Sequence, residues 1–204
     1  MARPTSFDRE EAVETAMHAV WENGYENTSV KQLAEMLGIT RSSFYNAFGS
    51  REELFRAFIP KYAAQSPDAM LRQDVTGDVL LLITVLYREI CKVRAQDPKA
   101  RGCLLINSVA ELCPSQEGLG ALLATLVLGS VDRIEELLDV AVENGELPAS
   151  SNTRAIALAL QNLMVGINVI CKVVRSEDEL WLLTETTLRG LGLYRDDAFE
   201  GGQA

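Results

Sequence analysis

Six side chains that can exchange hydrogen bonds with nucleic acid are clustered between residues 40 and 46. No carboxylate interrupts this stretch. The six are Thr40, Arg41, Ser42, Ser43, Tyr45 and Asn46. Arginine pairs with guanine or phosphate, asparagine with adenine or a backbone oxygen, and tyrosine suits phosphate or a thymine methyl group. The stretch is therefore predicted to read base edges in duplex DNA.

Four further residues carry donors that suit DNA phosphates. Thr28, Ser29 and Lys31 stand at the start of the preceding helix, and Arg51 at the start of the following one. Helix N-termini favour anions because their first backbone N–H groups have no partner within the helix. We predict that these four contact the DNA backbone, and that Arg3, in a proline-containing arm, reaches along the duplex.

The helices that position these groups follow from apolar spacing and capping residues. Apolar residues recur at intervals of three and four, which predicts an all-α fold. Helices are expected over residues 8–23, 28–37 and 40–48, and from residue 50 to a break near Pro67, with Gly38 allowing the turn into the third. This is a helix-turn-helix, whose second helix enters the major groove. The alternative is a three-helix packing unit with a solvated outer face, in which Thr28 and Thr40 act mainly as N-caps.

Five more helices are predicted after the break. They cover about residues 70–96, 102–112, 117–143, 152–174 and 177–193, which makes about nine helices in all. A boundary near residues 63–68 divides the chain into an N-terminal helix-turn-helix domain, 1–62, and a larger C-terminal helical bundle, 63–204. We assign DNA binding to the first domain.

Charge and composition exclude several classes of function. The net charge is −10, and residues 1–61 hold seven Lys/Arg against nine Asp/Glu, which argues against unspecific coating of nucleic acid. His18 is the one histidine, so a Ser-His-Asp triad has a single candidate base, and no phosphate loop or metal-binding cluster is visible. We predict no catalytic residue, no metal and no cofactor. A thiol-dependent enzyme and a helical adaptor that does not bind DNA remain the rival classes.

Two C-terminal helices are candidates for self-association. Residues 155–171 carry no charge, yet the polar Gln161, Asn162 and Asn168 make a membrane span a poor interpretation. Leu180, Leu183, Leu188 and Leu191 form an apolar stripe on the last helix. We predict a two-fold interface between copies of the helices at about 152–174 and 177–193. The alternative is that both faces are buried within one chain.

The N-terminal part resembles the tetracycline-repressor (TetR) family of bacterial transcriptional regulators. The resemblance rests on WENGY (21–25), TSVKQLAEMLGITRSSFYNAF (28–48) and GSREELF (49–55), in that order and spacing. It implies a homodimeric repressor on operator DNA in the bacterial cytoplasm, associated with the nucleoid when bound. It also implies an effector-binding and dimerisation function for residues 63–204 and release of the operator by a small molecule.

Polar or soft groups within the apolar C-terminal helices are the candidate effector contacts. They are Tyr87, Cys103, Asn107, Gln161, Asn162, Asn168, Cys171 and Lys172. Buried polar groups need partners, and a ligand or water can be one. The alternative for each is that it is satisfied inside the core or at the dimer interface.

Cys103 is the sharpest of these candidates. It follows Arg101 and Gly102 at a predicted helix start, where the N-terminus and a cation both favour thiolate, and Lys172 is a second candidate cation. The segment RGCLLINSVAEL (101–112) also resembles a subgroup with a cysteine early in the sixth helix. An electrophile or oxidant is therefore a candidate signal. The alternative is a core cysteine that only fills space.

Overall fold

The computed structural model describes residues 8–72, 77–113 and 117–196. These residues form nine α-helices and one 3-10 helix and contain no β-strand, which confirms the all-α prediction. The helices are α1 (Arg9–Asn23), α2 (Val30–Met36), α3 (Arg41–Phe48), α4 (Arg51–Gln65), the 3-10 helix (Pro67–Arg72), α5 (Val79–Gln96), α6 (Leu104–Leu112), α7 (Gly118–Glu143), α8 (Thr153–Ile170) and α9 (Glu177–Gly190). The predicted arm residue Arg3 lies outside the described residues.

Side-chain caps fix the starts of the first four helices. Asp8, Ser29, Thr40 and Ser50 each accept a hydrogen bond from a backbone N–H of the first turn. At α2 the cap is a complete capping box, because Gln32 reaches back to the N–H of Ser29. The polar residues between the helices therefore set the boundaries of the N-terminal helices.

The described residues of Met1–Ser66 and Cys103–Leu123 form one compact unit. Its interior is aromatic, and Phe44, Phe55 and Phe58 are fully buried beside Met17 and Leu33. Helix α1 packs against α2, α4 and α6, while α3 packs against α2 and α4. The unit thus joins the helix-turn-helix region to α6, which is distant in sequence.

The described residues of Pro67–Gly102 and Ala124–Ala204 form the second compact unit. Helix α5 packs against α9, α8 and the 3-10 helix around an apolar core. Among the described helices, α8 alone is long and apolar enough to cross a membrane, a test that core helices also pass. Seven of its residues, including Gln161 and Asn168, face the interior of the unit. This packing accounts for its apolar composition.

Several predicted helix bounds are wrong. The helix predicted from residue 70 begins only at Val79, because Asp78 caps it through the Leu81 N–H, and residues 67–72 form the 3-10 helix. The helix predicted from residue 102 begins at Leu104, and α8 and α9 end at Ile170 and Gly190, a few residues before their predicted ends. The functional division at residue 62 stays a prediction.

The predicted leucine stripe of α9 is also corrected. Leu180 and Leu188 are fully buried in the core of their own unit, because they lie with Thr184 along one inward face. Leu191 is partly buried against the same core. Leu183 of the predicted stripe is exposed, and so is Leu182 beside it.

Candidate functional site

The turn between α2 and α3 is built by one glycine. Gly38 adopts φ +64°, a conformation that favours glycine, and its N–H donates to the Glu35 carbonyl at 3.2 Å. The Ile39 N–H donates to the Ala34 carbonyl at 3.0 Å. These two bonds form a Schellman motif, which satisfies the last carbonyls of α2 and redirects the chain at once into α3.

Helix α3 is anchored from beneath by two aromatic rings. Phe44 and Phe48 lie four residues apart, are buried, and have ring centroids 5.2 Å apart. The helix start is fixed by Thr40, whose hydroxyl accepts from the Ser43 N–H at 3.1 Å. The orientation of α3 is therefore set by packing and by a cap.

The opposite face of α3 is polar and open. All six residues of the predicted reading surface are exposed: Thr40, Arg41, Ser42, Ser43, Tyr45 and Asn46. Tyr45 is 51% exposed, although the edge of its ring meets Phe44 at 5.8 Å. One short helix thus presents a guanidinium, hydroxyls, a phenol and a carboxamide outward. The guanidinium, the carboxamide and the hydroxyls are groups that can form hydrogen bonds with base edges.

The residues predicted to contact phosphate have mixed surroundings. Ser29 and Lys31 are exposed at the start of α2, where Lys31 Nζ lies 3.8 Å from Glu35. Thr28 is buried and its hydroxyl donates to the Gly24 carbonyl at 2.6 Å. Its side chain therefore holds the turn before α2 rather than projecting outward.

Arg51 also has a contact that the sequence does not reveal. Its guanidinium donates to the carbonyls of Tyr25 at 2.9 Å and Thr28 at 3.1 Å. It stacks on the Tyr25 ring, with Cζ 3.9 Å from the centroid. The side chain fastens the turn between α1 and α2 to the start of α4.

The candidate effector residues of the second unit are partly occupied by internal hydrogen bonds. The Tyr87 hydroxyl donates to the Leu160 carbonyl at 2.6 Å, and burial above all raises the pKa of this phenol well above its usual range. Asn168 accepts from Arg94 Nε at 2.5 Å and donates to the Met164 carbonyl at 2.9 Å. Both side chains are thus held in one orientation.

Two other candidates in this unit, Asn162 and Lys172, lie on the exposed face of their segment. Gln161, next to Asn162, is buried, and its Oε1 atom has no hydrogen-bond partner among the residues that the structure describes. Of the candidate effector residues in this unit, Tyr87, Gln161, Asn168 and Cys171 are therefore buried, while Asn162 and Lys172 are exposed.

Cys103 and Asn107 belong to the first unit. Cys103 is the N-cap residue of α6, and its thiol is buried. The Tyr62 hydroxyl lies 3.3 Å from Cys103 Sγ and accepts from the Leu104 N–H at 3.1 Å. Asn107 is half-buried one turn further along α6. The predicted placement of Cys103 at a helix start is thus confirmed, and a buried phenol is its neighbour.

Cys91 and Cys171 have surroundings that suppress thiolate. Burial raises the pKa of Cys91 to about 11, although the hydroxyl of Thr184 at 3.2 Å acts in the opposite direction. Burial likewise raises the pKa of Cys171, against the effect of nearby Arg94. Cys113 is half-buried, and its thiol lies 3.6 Å from the Gly120 carbonyl.

Three residues that shape the candidate sites were not predicted from the sequence: Tyr62, Glu111 and Arg94. Tyr62 accepts a hydrogen bond from the Leu104 N–H, and Glu111 accepts one from the Tyr25 N–H. Both partners are more than forty residues away, so no local sequence pattern reveals them. Arg94 is buried, although arginine is usually exposed. A signal for Arg94 existed, because it lies seven residues after Tyr87 and three after Cys91, on the apolar face of α5.

Comparison with known proteins places the chain in a family. The family model described as "Bacterial regulatory proteins, tetR family" matches residues 12–58, and "Tetracyclin repressor-like, C-terminal domain" matches residues 83–186, about half of the chain. The HTH-type transcriptional repressor ComR of Escherichia coli K12 is 26% identical over 191 residues, covering 92% of this chain and 90% of that repressor.

Solved structures agree with this placement. The TetR family transcriptional regulator CifR, solved as a triple cysteine mutant with a 26-bp double-strand operator DNA, superposes with a TM-score of 0.81 at 27% identity, covering 92% of this chain and 98% of that one. The reduced form of E. coli NemR shares the fold, with a TM-score of 0.73 at 24% identity, covering 90% and 94%. The chain therefore belongs to the tetR family of bacterial regulatory proteins, as a helix-turn-helix transcriptional regulator.

Proposed function

We propose that this regulator is a homodimeric repressor that binds a nearly palindromic operator through α3 and leaves it when an effector acts on the protein. The observation that carries the proposal is the exposed face of α3 above buried Phe44 and Phe48. CifR, which shares the fold, was solved with its operator DNA. Repression follows most simply from occlusion of a promoter.

The roles within the interface follow from exposure and position. Arg41 and Asn46 are assigned to base edges, with Thr40, Ser42 and Ser43 beside them. Ser29 and Lys31 are assigned to phosphates because they stand exposed at the start of α2. The side chains of Thr28 and Arg51 hold the preceding turn, and the Thr28 N–H donates to the Tyr25 carbonyl at 3.1 Å. Arg51 Nη2 lies 3.9 Å from Glu26, so a phosphate contact by Arg51 would compete with this ion pair.

Exposed apolar residues on α8 and α9 support the homodimer. Leu158 and Val169 of α8 and Leu182 of α9 are each about half exposed or more, and Val173 follows in the turn after α8. Solvation of such a face is unfavourable, so burial against a second copy stabilises it. We propose that the faces of α8 and α9 form the two-fold interface.

A salt series with two matched variants tests DNA binding. Fluorescence anisotropy is measured on the DNA upstream of the protein's own reading frame, against a scrambled duplex, from 50 to 200 mM salt. Arg41→Ala is expected to reduce discrimination between the two duplexes by about 1–3 kcal/mol per half-site. Lys31→Ala is expected to weaken both complexes equally and to lower the salt slope by about 1.8, because the dimer loses one phosphate contact of about 0.9 in each half-site. If the wild type binds neither duplex at low salt, the enzyme or adaptor classes are favoured instead.

Cys103 is the proposed site of a redox or electrophile signal. Its sulfur lies at the N-terminus of α6, and the Tyr62 hydroxyl is within hydrogen-bonding distance of it. Its burial restricts access to small reagents such as peroxide or short aldehydes. Reaction at the sulfur would disturb this contact and shift α6.

Variants of two cysteines separate this signal from general oxidation. We expect peroxide or a reactive aldehyde to release the wild type and Cys113→Ser from the operator, but not Cys103→Ser. Cys113 is the matched control because it is the more exposed thiol. Equal release of all three proteins would exclude Cys103 and favour a non-covalent effector, for which Gln161 and Asn168 are the proposed contacts. The protein is proposed to act in the bacterial cytoplasm, where it meets the nucleoid.

A further inference from the structure

The turn between α1 and α2 is held by a carboxylate from α6. The N–H of Tyr25 donates to Glu111 Oε2 at 2.9 Å, and the N–H of Glu26 donates to Glu111 Oε1 at 2.8 Å. Successive N–H groups that converge on one anion form an anion-binding concavity. On the other side of the turn, Arg51 binds the carbonyls of Tyr25 and Thr28. The Glu111 carboxylate thus binds the N–H groups of the α1–α2 turn, and the Arg51 guanidinium binds its C=O groups.

Gly24 leaves space for the Glu111 carboxylate beside the turn. Its φ of +86° favours glycine, and a Cβ atom there would lie 3.2 and 3.3 Å from the two carboxylate oxygens of Glu111. The turn sequence and Glu111 therefore fit each other, although they are separated by more than eighty residues.

Helix α6 is also bonded to the N-terminal helices at its start. The Tyr62 hydroxyl of α4 accepts from the Leu104 N–H and lies against Cys103 Sγ. Cys103 and Glu111 are eight residues apart, or about 12 Å along a helix. Helix α6 thus connects the buried Cys103 thiol to the α1–α2 turn, which precedes Ser29, the N-cap residue of α2.

We propose that Glu111 is a positioning residue for DNA binding, which fixes the α1–α2 turn and through it the phosphate-facing start of α2. A displacement of α6 would then reach the DNA-binding surface through this carboxylate. The inference rests on the proposed function, because it assumes that α2 and α3 contact an operator.

The charge effect and the positioning effect of a Glu111 substitution change DNA affinity in opposite directions. Removing a negative charge from an acidic DNA-binding protein, by itself, leaves affinity for DNA unchanged or raises it. Loss of the two hydrogen bonds between Glu111 and the α1–α2 turn, here called the Glu111 clamp, weakens DNA binding. Only the fraction of molecules whose turn keeps the native conformation binds, so the dissociation constant rises by the inverse of that fraction. The sign of the change therefore distinguishes positioning from charge.

The experiment compares the full-length wild type, Glu111→Gln, Glu111→Ala and the control Glu143→Gln. Glu143 is exposed on α7, and its substitution removes the same charge. Operator dissociation constants are measured well below the melting temperature, with amide hydrogen exchange of Tyr25 and Glu26. Glutamine keeps one acceptor oxygen and nearly the same shape, so it tests the proposal even if the alanine variant folds poorly.

We expect the operator complex to weaken by about tenfold in Glu111→Gln, if the competent fraction falls to about a tenth, and further in Glu111→Ala. The exchange of both amides should accelerate, and Glu143→Gln should bind at least as tightly as the wild type. Glu111→Gln with a lower melting temperature but wild-type affinity would reduce Glu111 to a structural role and overturn the proposal. A wild type without operator preference would instead overturn the proposed function, while the exchange rates would still report the clamp.

Discussion

Removal of one buried oxygen atom, in Tyr62→Phe, tests the attachment of α6 to α4. The phenylalanine ring keeps the edge contact with Trp21 at 5.2 Å, but the acceptor of the Leu104 N–H and the hydroxyl against Cys103 Sγ are lost. Leu104 is 1% exposed, so water does not readily replace the acceptor. An unsatisfied buried N–H costs about 1–3 kcal/mol. We therefore expect the free energy of unfolding to fall by roughly 2 kcal/mol.

Urea denaturation followed by circular dichroism measures this loss, at one fixed protomer concentration because dimerisation contributes to stability. The melting temperature should fall by about 4–8 °C for a chain of this size. Tyr45→Phe is the matched control, because its ring is half exposed on α3, and we expect a change within about 0.5 kcal/mol. If Tyr62→Phe unfolds like Tyr45→Phe, the Tyr62 phenol does not hold the start of α6 against α4.

Three further predictions concern the second unit. Burial raises the pKa of Asp97, but the hydrogen bonds that Arg101 donates to it outweigh that effect, so the pKa is lowered. The stability that Asp97→Asn removes should therefore be present in full above about pH 4 and vanish as the pH falls through the lowered pKa. Urea midpoints of the wild type and the variant across this pH range measure the difference. Gly102→Ala should destabilise the protein by at least about 1 kcal/mol, because φ is +69° and the new Cβ would meet the Asn168 carbonyl oxygen; a melting temperature equal to that of the wild type would contradict this. Val169→Glu and Leu182→Glu should each yield monomers in analytical ultracentrifugation, and a dimer that survives both changes would place the interface elsewhere.

The local elements were predictable because their signals are local. Ser29 with Gln32, and Thr40 with Ser43, lie within one turn of each other, so capping chemistry alone marks the starts of α2 and α3. The spacing of Phe44 and Phe48 likewise defines the inner face of α3, and the exposed residues opposite follow from it. The exposure of the candidate DNA-reading residues on α3 could therefore be predicted, while their contacts with DNA stay a prediction.

The contacts that connect distant segments could not be predicted in this way. Nothing in the local sequence distinguishes Glu111 from any other glutamate on a helix. Only the fold brings its carboxylate to the N–H groups of Tyr25 and Glu26. Thr28 and Arg51 were assigned to phosphate by position, yet their side chains bond within the protein. The α9 stripe failed for a related reason, because spacing shows that Leu180 and Leu188 share a face but does not show which neighbour covers it.

We propose that two copies of α3 lie in successive major grooves of one operator. Methylation protection by dimethyl sulfate probes this placement, because guanine N7 faces the major groove. We expect two symmetric clusters of protected guanines about one helical turn, roughly 34–36 Å, apart. Arg41→Ala should lose protection within each cluster. A single cluster, or no protected guanine on DNA that the protein demonstrably retains, would exclude this placement.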